Sequence, residues 1–213
     1  MADSKNLLGT YTPLEERLNI YSHLLGALLS VVATVLLVLK AGEDLSSLMA
    51  YIVFGVSMVL LYCASTLYHS ARDLKRRFKL KILDHAAIYI LIAGTYTPFT
   101  VIGLKDHQGL WILLLVWSLA LIGVVFKLFF TGKFKLFSTL LYVGMGWIVV
   151  FYWPVLSEAL SEKARYYLIL GGVSYTVGAL WYSIKKHPLN HAVFHGFVLL
   201  GTFFHFLAIY LYI

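Results

Sequence analysis

The chain has 213 residues, is 61% hydrophobic and only 13% charged, and has a mean hydropathy of +0.83. A soluble domain carries about a quarter charged residues, so this composition excludes an ordinary water-soluble fold and places nearly the whole chain in a membrane. The net charge of +7 does not signal a nucleic-acid partner, because the basic residues sit in short connections between apolar runs.

Residues 1–17 form a short, mixed-polar N-terminal segment that ends in Glu15, Glu16 and Arg17. The apolar run behind it is too long for a signal-peptide core and lacks a small-residue cleavage site. It therefore reads as a retained first span. Seven such runs follow one another at 18–39, 47–69, 84–103, 110–130, 137–156, 165–184 and 190–213. Each is long enough to cross a ~30 Å hydrocarbon core as a helix. The expected architecture is an all-α membrane protein, a seven-transmembrane-helix bundle over 18–213, with no repeat and no soluble domain. Residues 70–83 read as a basic loop. Pro98, four residues after Gly94, predicts a bend in the third span. Cys63, the single cysteine, excludes an internal disulfide and reads as a small packing residue. Tyr11, Trp111, Trp153 and Tyr210 near the span ends suit interfacial belts.

Orientation follows from the basic residues. With the amino terminus inside, thirteen of the seventeen lysines and arginines fall on the inner side, six of them between Arg72 and Lys81. The positive-inside rule then gives a cytoplasmic N-terminus and an external C-terminus. An odd number of spans requires the same opposition of the termini.

The chemistry lies in polar residues at one depth. His191 and His195 open the seventh span four residues apart, on one helix face, about 5–6 Å apart at Cβ. His69 closes the second span, Asp84 opens the third, and Asn19 and His23 open the first. All four placements fall on the cytoplasmic side. Intramembrane ionisable groups are costly and mark functional sites. Three histidines and an aspartate suit Zn²⁺, whose catalytic sites keep three protein ligands and a place for water. His69, His191 and His195 are the expected ligands. Asp84 is either the partner of the metal-bound water or a fourth ligand. Ser65, one turn before His69, bonds either the site or its own helix backbone. Asn19 and His23 suit a supporting shell or an interhelical clasp. His205, about 15 Å further along the last helix than His195, is too far for the same metal and lines a cavity or bonds a neighbouring helix. His85 points about 100° away from Asp84 and reads as packing. His107 and His187 read as solvated loop residues.

These marks (Glu16-x-x-Asn19-x-x-Ser22-His23, Ser65-x-x-x-His69, Asp84 and His191-x-x-x-His195) resemble a bacterial hemolysin III-type member of the progestin and adipoQ receptor family. The resemblance runs from about Glu15 to the C-terminus. It implies a seven-helix fold in the bacterial plasma membrane, with a zinc site near the cytoplasmic face. In that site the residues matching His69, His191 and His195 bind the metal, Asp84 contacts its water, and Ser65 lies alongside. The superfamily includes alkaline ceramidases, which implies a lipid-amide hydrolase. The short N-terminal segment departs from the larger one of the eukaryotic receptors and argues against a hormone-receptor role.

The sequence thus predicts a zinc-dependent hydrolase of a lipid amide or ester. The alternative is a non-enzymatic membrane sensor, receptor or hemolysin-like permeabiliser with a structural zinc. A metal or proton transporter fits less well, because apart from His205 no polar relay continues outward.

Overall fold

A computed structural model describes residues 11–105, 108–131, 133–184 and 188–213, without the side chain of residue 135. The expectations for His107 and His187 lie outside the described residues. Eight α-helices, and no strand among these residues, make up the fold: α1 Pro13–Ala41, α2 Leu45–Ser70, α3 Leu74–Pro98, α4 Gly109–Phe130, α5 Lys135–Gly146, α6 Trp153–Ala159, α7 Glu162–Ile184 and α8 Asn190–Tyr212. A π-helical turn at Phe99–Gly103 extends α3, and a 3₁₀ stretch at Trp147–Tyr152 joins α5 to α6. Together they give seven spans long and apolar enough to cross a membrane. The chain is a multi-pass membrane protein.

Local chemistry sets the boundaries. Thr12 caps α1, its hydroxyl accepting from the Glu15 N–H at 3.2 Å, and Pro13 follows in the first turn, where its missing N–H costs nothing. Gly42 ends α1 at φ 58°, a left-handed value natural to glycine. Asp44 caps α2 and Asp73 caps α3 through the backbone N–H groups that follow them.

The Asp73 cap corrects one expectation. The basic stretch read as a loop is helical from Leu74 onward, because a good cap precedes leucine, lysine and arginine, all favourable helix formers. Asp84 therefore sits about 15 Å inside α3 rather than at its start.

Pro98 does not break the third span. Its ring removes one backbone donor, and a π-helical turn follows directly. Hydroxyls of Thr97 and Thr100 bond the carbonyls of Ala93, Tyr96 and Thr97 at 2.9–3.0 Å, keeping polar groups satisfied where no water can serve.

Small residues let the spans approach. Gly55 packs against Thr34, and Gly94 against Ser57, the close backbone contact that holds helices together in lipid. Buried tyrosines tie the centre: Tyr62 donates to Thr202 Oγ1, and Tyr175 shares that oxygen, both at 2.7 Å. The outer surface is apolar, with Leu28, Leu39, Phe129 and Phe151 exposed. Cys63 also faces outward.

A Cβ on Gly94 would lie 2.2 Å from Ser57 Oγ, whereas one on Gly144 would meet nothing within 4 Å. Gly94→Val is therefore expected to destabilise the purified protein by about 1–3 kcal/mol. Gly144→Ala should leave it unchanged or slightly more stable. Thermal melts in detergent read both.

Candidate metal centre

Two helix ends bring the three histidines together. His69 comes from the last turn of α2, and His191 and His195 from the first two turns of α8. The i, i+4 spacing turns both α8 imidazoles to one side. His191 Nε2 lies 3.2 Å from His69 Nε2 and 3.1 Å from His195 Nε2. All three rings are buried. Tetrahedral ligands at about 2.0–2.1 Å from a zinc ion stand about 3.3 Å apart, so the nitrogens are positioned to hold one metal ion.

The rings are held from behind. Glu16 Oε2 accepts from His69 Nδ1 at 2.7 Å, and Arg77 binds the other oxygen of the same carboxylate. With its proton committed at Nδ1, His69 presents the lone pair of Nε2 to the centre. Glu15 Oε1 accepts the backbone N–H of His191 at 3.0 Å. It thereby caps α8 with a carboxylate at its positive end. Ser22 Oγ lies 3.4 Å from His195 Nδ1.

Asn19 Nδ2 sits 3.4 Å from His69 Nδ1. The His23 ring stacks on His195, with centroids 3.5 Å apart and planes 8° from parallel. His23 does not join the three-histidine group. Ser65 is fully buried, and its hydroxyl has no hydrogen-bond partner among the described residues. Thr66 and Ser70 on the same helix bond their own backbone; Ser65 does not. Asn19 Oδ1, both His23 nitrogens and His191 Nδ1 are likewise without a partner. Buried polar atoms are normally paired. Several orphans around three convergent imidazole nitrogens fit a site built for an ion and its ordered water.

Asp84 is buried and lies outside the three-histidine group. It shares a cavity wall with His23, His191 and His195. The neighbouring ring curls back toward it: His85 Nδ1 lies 3.3 Å from Asp84 Oδ2 and 2.9 Å from the Lys81 carbonyl. His85 thus accompanies Asp84 on the wall rather than packing away from it. His205 bonds the Leu168 carbonyl at 3.1 Å and lines the same cavity, about 15 Å along α8 from His195.

Sequence reasoning missed the roles of three participants. Glu15 read as the polar edge of the first span, and Glu16 stood in the motif without a role. The signal was their spacing, since 15/16, 19 and 22/23 recur every three to four residues on one face of an otherwise apolar helix. Tyr11, read as a belt residue, stacks on His191 with centroids 4.9 Å apart. Burial, reinforced by the phenols of Tyr68 and Tyr182, pushes its hydroxyl well above its ordinary value of 10.0, so Tyr11 covers the cluster as a neutral phenol.

The cavity holds about 470 Å³ and is mostly apolar. Along the third span it is lined from Asp84 through Leu91, Thr95 and Phe99 to Leu104. Twenty residues of helix cover about 30 Å, so the cavity runs from the histidine layer across most of the bundle.

The profile of the family described as "Haemolysin-III related" matches residues 11–206. The chain belongs to this haemolysin-III-related family. It is 45% identical to the "Hemolysin-3 homolog" of Bacillus subtilis (strain 168), over 95% of this chain and 96% of that one. It is 42% identical to "Hemolysin-3" of Bacillus cereus, over 93% and 92%. A more distant likeness, 24% identity over 96% of this chain and 88% of the other, links it to the human "Monocyte to macrophage differentiation factor". In this haemolysin-III-related chain the matched stretch takes in the whole centre, from Tyr11 to His205.

Carboxylates behind a ligating histidine contribute about 10–100-fold to metal affinity. If the cluster holds a divalent ion, Glu16→Gln is expected to weaken its binding by that factor while the helical content stays unchanged. Competition with a chelator, alongside circular dichroism, measures both.

Proposed function

We propose that the chain is an intramembrane hydrolase of a lipid amide or ester in which His69, His191 and His195 hold Zn²⁺ through their Nε2 atoms. One observation carries this reading: His191 and His195, two of the three clustered histidines, line the same apolar cavity as the buried carboxyl of Asp84. Other transition ions also accept imidazole. The three-nitrogen set with a carboxyl nearby but outside it suits zinc with an open position. When bound, zinc supplies Lewis acidity toward a carbonyl oxygen and toward water.

The chain's own residues do the rest. The cavity takes the acyl chain and excludes bulk water from it. Hydrolysis joins the oxygen of water to the acyl carbon, breaks the C–N or C–O bond, and delivers one proton to the leaving nitrogen or oxygen. Asp84 takes up that proton and returns it. His85 Nδ1, 3.3 Å from Asp84 Oδ2, steadies the carboxyl. The Ser65 hydroxyl supplies a hydrogen bond inside the site. Asn19 and His23 hold the ligand rings from the first span. The excess of basic residues on the side of the 72–81 stretch places this layer at the cytoplasmic face, with the N-terminus inside and the C-terminus outside.

The name of the Bacillus cereus relative, "Hemolysin-3", favours a second reading, a permeabilising membrane protein with the metal as a staple. The two readings part at Asp84. On the hydrolase reading, purified protein carries about one zinc per chain and releases free fatty acid from an N-acyl or O-acyl lipid. Asp84→Asn then lowers turnover by at least about 10²-fold with zinc retained, and His195→Ala loses both. Zinc-loaded protein that leaks vesicles equally well with and without Asp84, and releases no fatty acid from any acyl lipid, would leave the second reading standing.

A further inference from the structure

Lys127 is a lysine in the last turn of α4, yet it is turned inward. Lysines near span ends ordinarily reach out to headgroups and water. This one is 2% exposed and lines the cavity. Its Nζ donates to Ser138 Oγ at 2.6 Å and lies 5.4 Å from the centre of the Tyr142 ring. No carboxylate of the described residues stands within 4.0 Å of it. An ammonium carries three donors, and Ser138 takes one. Burying such a group without an opposite charge is costly, so its retention calls for an anion that comes and goes. Lys81 and Lys133 line the same cavity and give that end a positive field.

The lysine also stands next to the chemistry. Tyr142, the ring under Lys127, donates its hydroxyl to the His85 carbonyl at 2.9 Å, and His85 adjoins Asp84. One cavity thus joins a cationic pocket, the Asp84 wall, the histidine nitrogens and an apolar passage about 30 Å long.

We propose that Lys127 and Ser138 form a phosphate-binding pocket for the headgroup of an anionic glycerophospholipid, whose acyl chain occupies the apolar passage. The charge selects the phosphate and the passage selects the chain, so a lipid carrying both is held better than either part alone. Where this joins the hydrolase reading, on which it rests only for turnover, the ester carbonyl a few bonds from the phosphate is the group presented to Asp84. The products are then a fatty acid and a lysolipid, with the proton going to the released glycerol oxygen.

Binding is tested apart from turnover. Full-length protein in neutral detergent is titrated with phosphatidylglycerol, phosphatidylcholine, diacylglycerol or inorganic phosphate, and retention is read by native mass spectrometry. Phosphatidylglycerol should bind best. Lys127→Met should weaken it at least about tenfold, as loss of a charged hydrogen bond does, while Lys127→Arg keeps most of it. A melting temperature and helical content equal to wild type certify the fold of each variant. Equal retention of diacylglycerol, or phosphatidylglycerol binding indifferent to Lys127→Met in a folded variant, overturns the pocket. Inorganic phosphate binding as tightly as the lipid, and lost in Lys127→Met, overturns the lipid as its occupant. Lysine-dependent lipid retention without fatty-acid release supports the pocket and counts against the hydrolase instead.

Discussion

Three buried imidazoles, with His191 Nε2 3.1–3.2 Å from the Nε2 atoms of both His69 and His195, are the constraint around which the bundle is arranged. Lone pairs at that separation repel unless a proton or a cation lies between them. Each ring is moreover buried, where an unpaired polar atom is costly. The arrangement persists because the rings are gripped from behind. The Arg77–Glu16–His69 chain fixes one ring, and Glu15 fixes the start of α8. Much of the rest is ordinary membrane-helix packing, with glycine and serine contacts between neighbouring helices and tyrosine hydroxyls bonded across the centre.

The spans were legible because their signal is strong and local: an apolar run of the right length has one stable form in lipid. The histidine cluster was legible because polar residues at the ends of distant spans stand out against that background. The start of the third helix was not. Lysine and arginine in quick succession look like a loop to any hydropathy measure, although they extend a helix well once Asp73 caps it. Nor was the break of the fifth span into α5, a 3₁₀ stretch and α6, although Gly144 and Gly146 precede residues 147–152 and Pro154 follows them, because the apolar run continues through all of it.

The supporting groups were harder to read for a different reason. Glu15 and Glu16 owe their roles to partners 176 and 53 residues away, and no local pattern carries that distance. Lys127 looked like one more basic residue at a span end; only the packing of α4 against α5 shows which way it points. The hydroxyl of Ser65 left two alternatives open in sequence, and the geometry withholds the backbone bond that its neighbours on α2 make.

Consecutive glutamates on α1 reach two different helices, α2 close by in the chain and α8 far along it. Glu16 can engage His69 as soon as the second helix has inserted, but Glu15 must wait for the backbone of residue 191. The first helix therefore carries a half-finished socket until α8 arrives to close it. A chain cut off before α8 lacks two of the three imidazoles, so the cluster assembles only after six earlier spans are already in place.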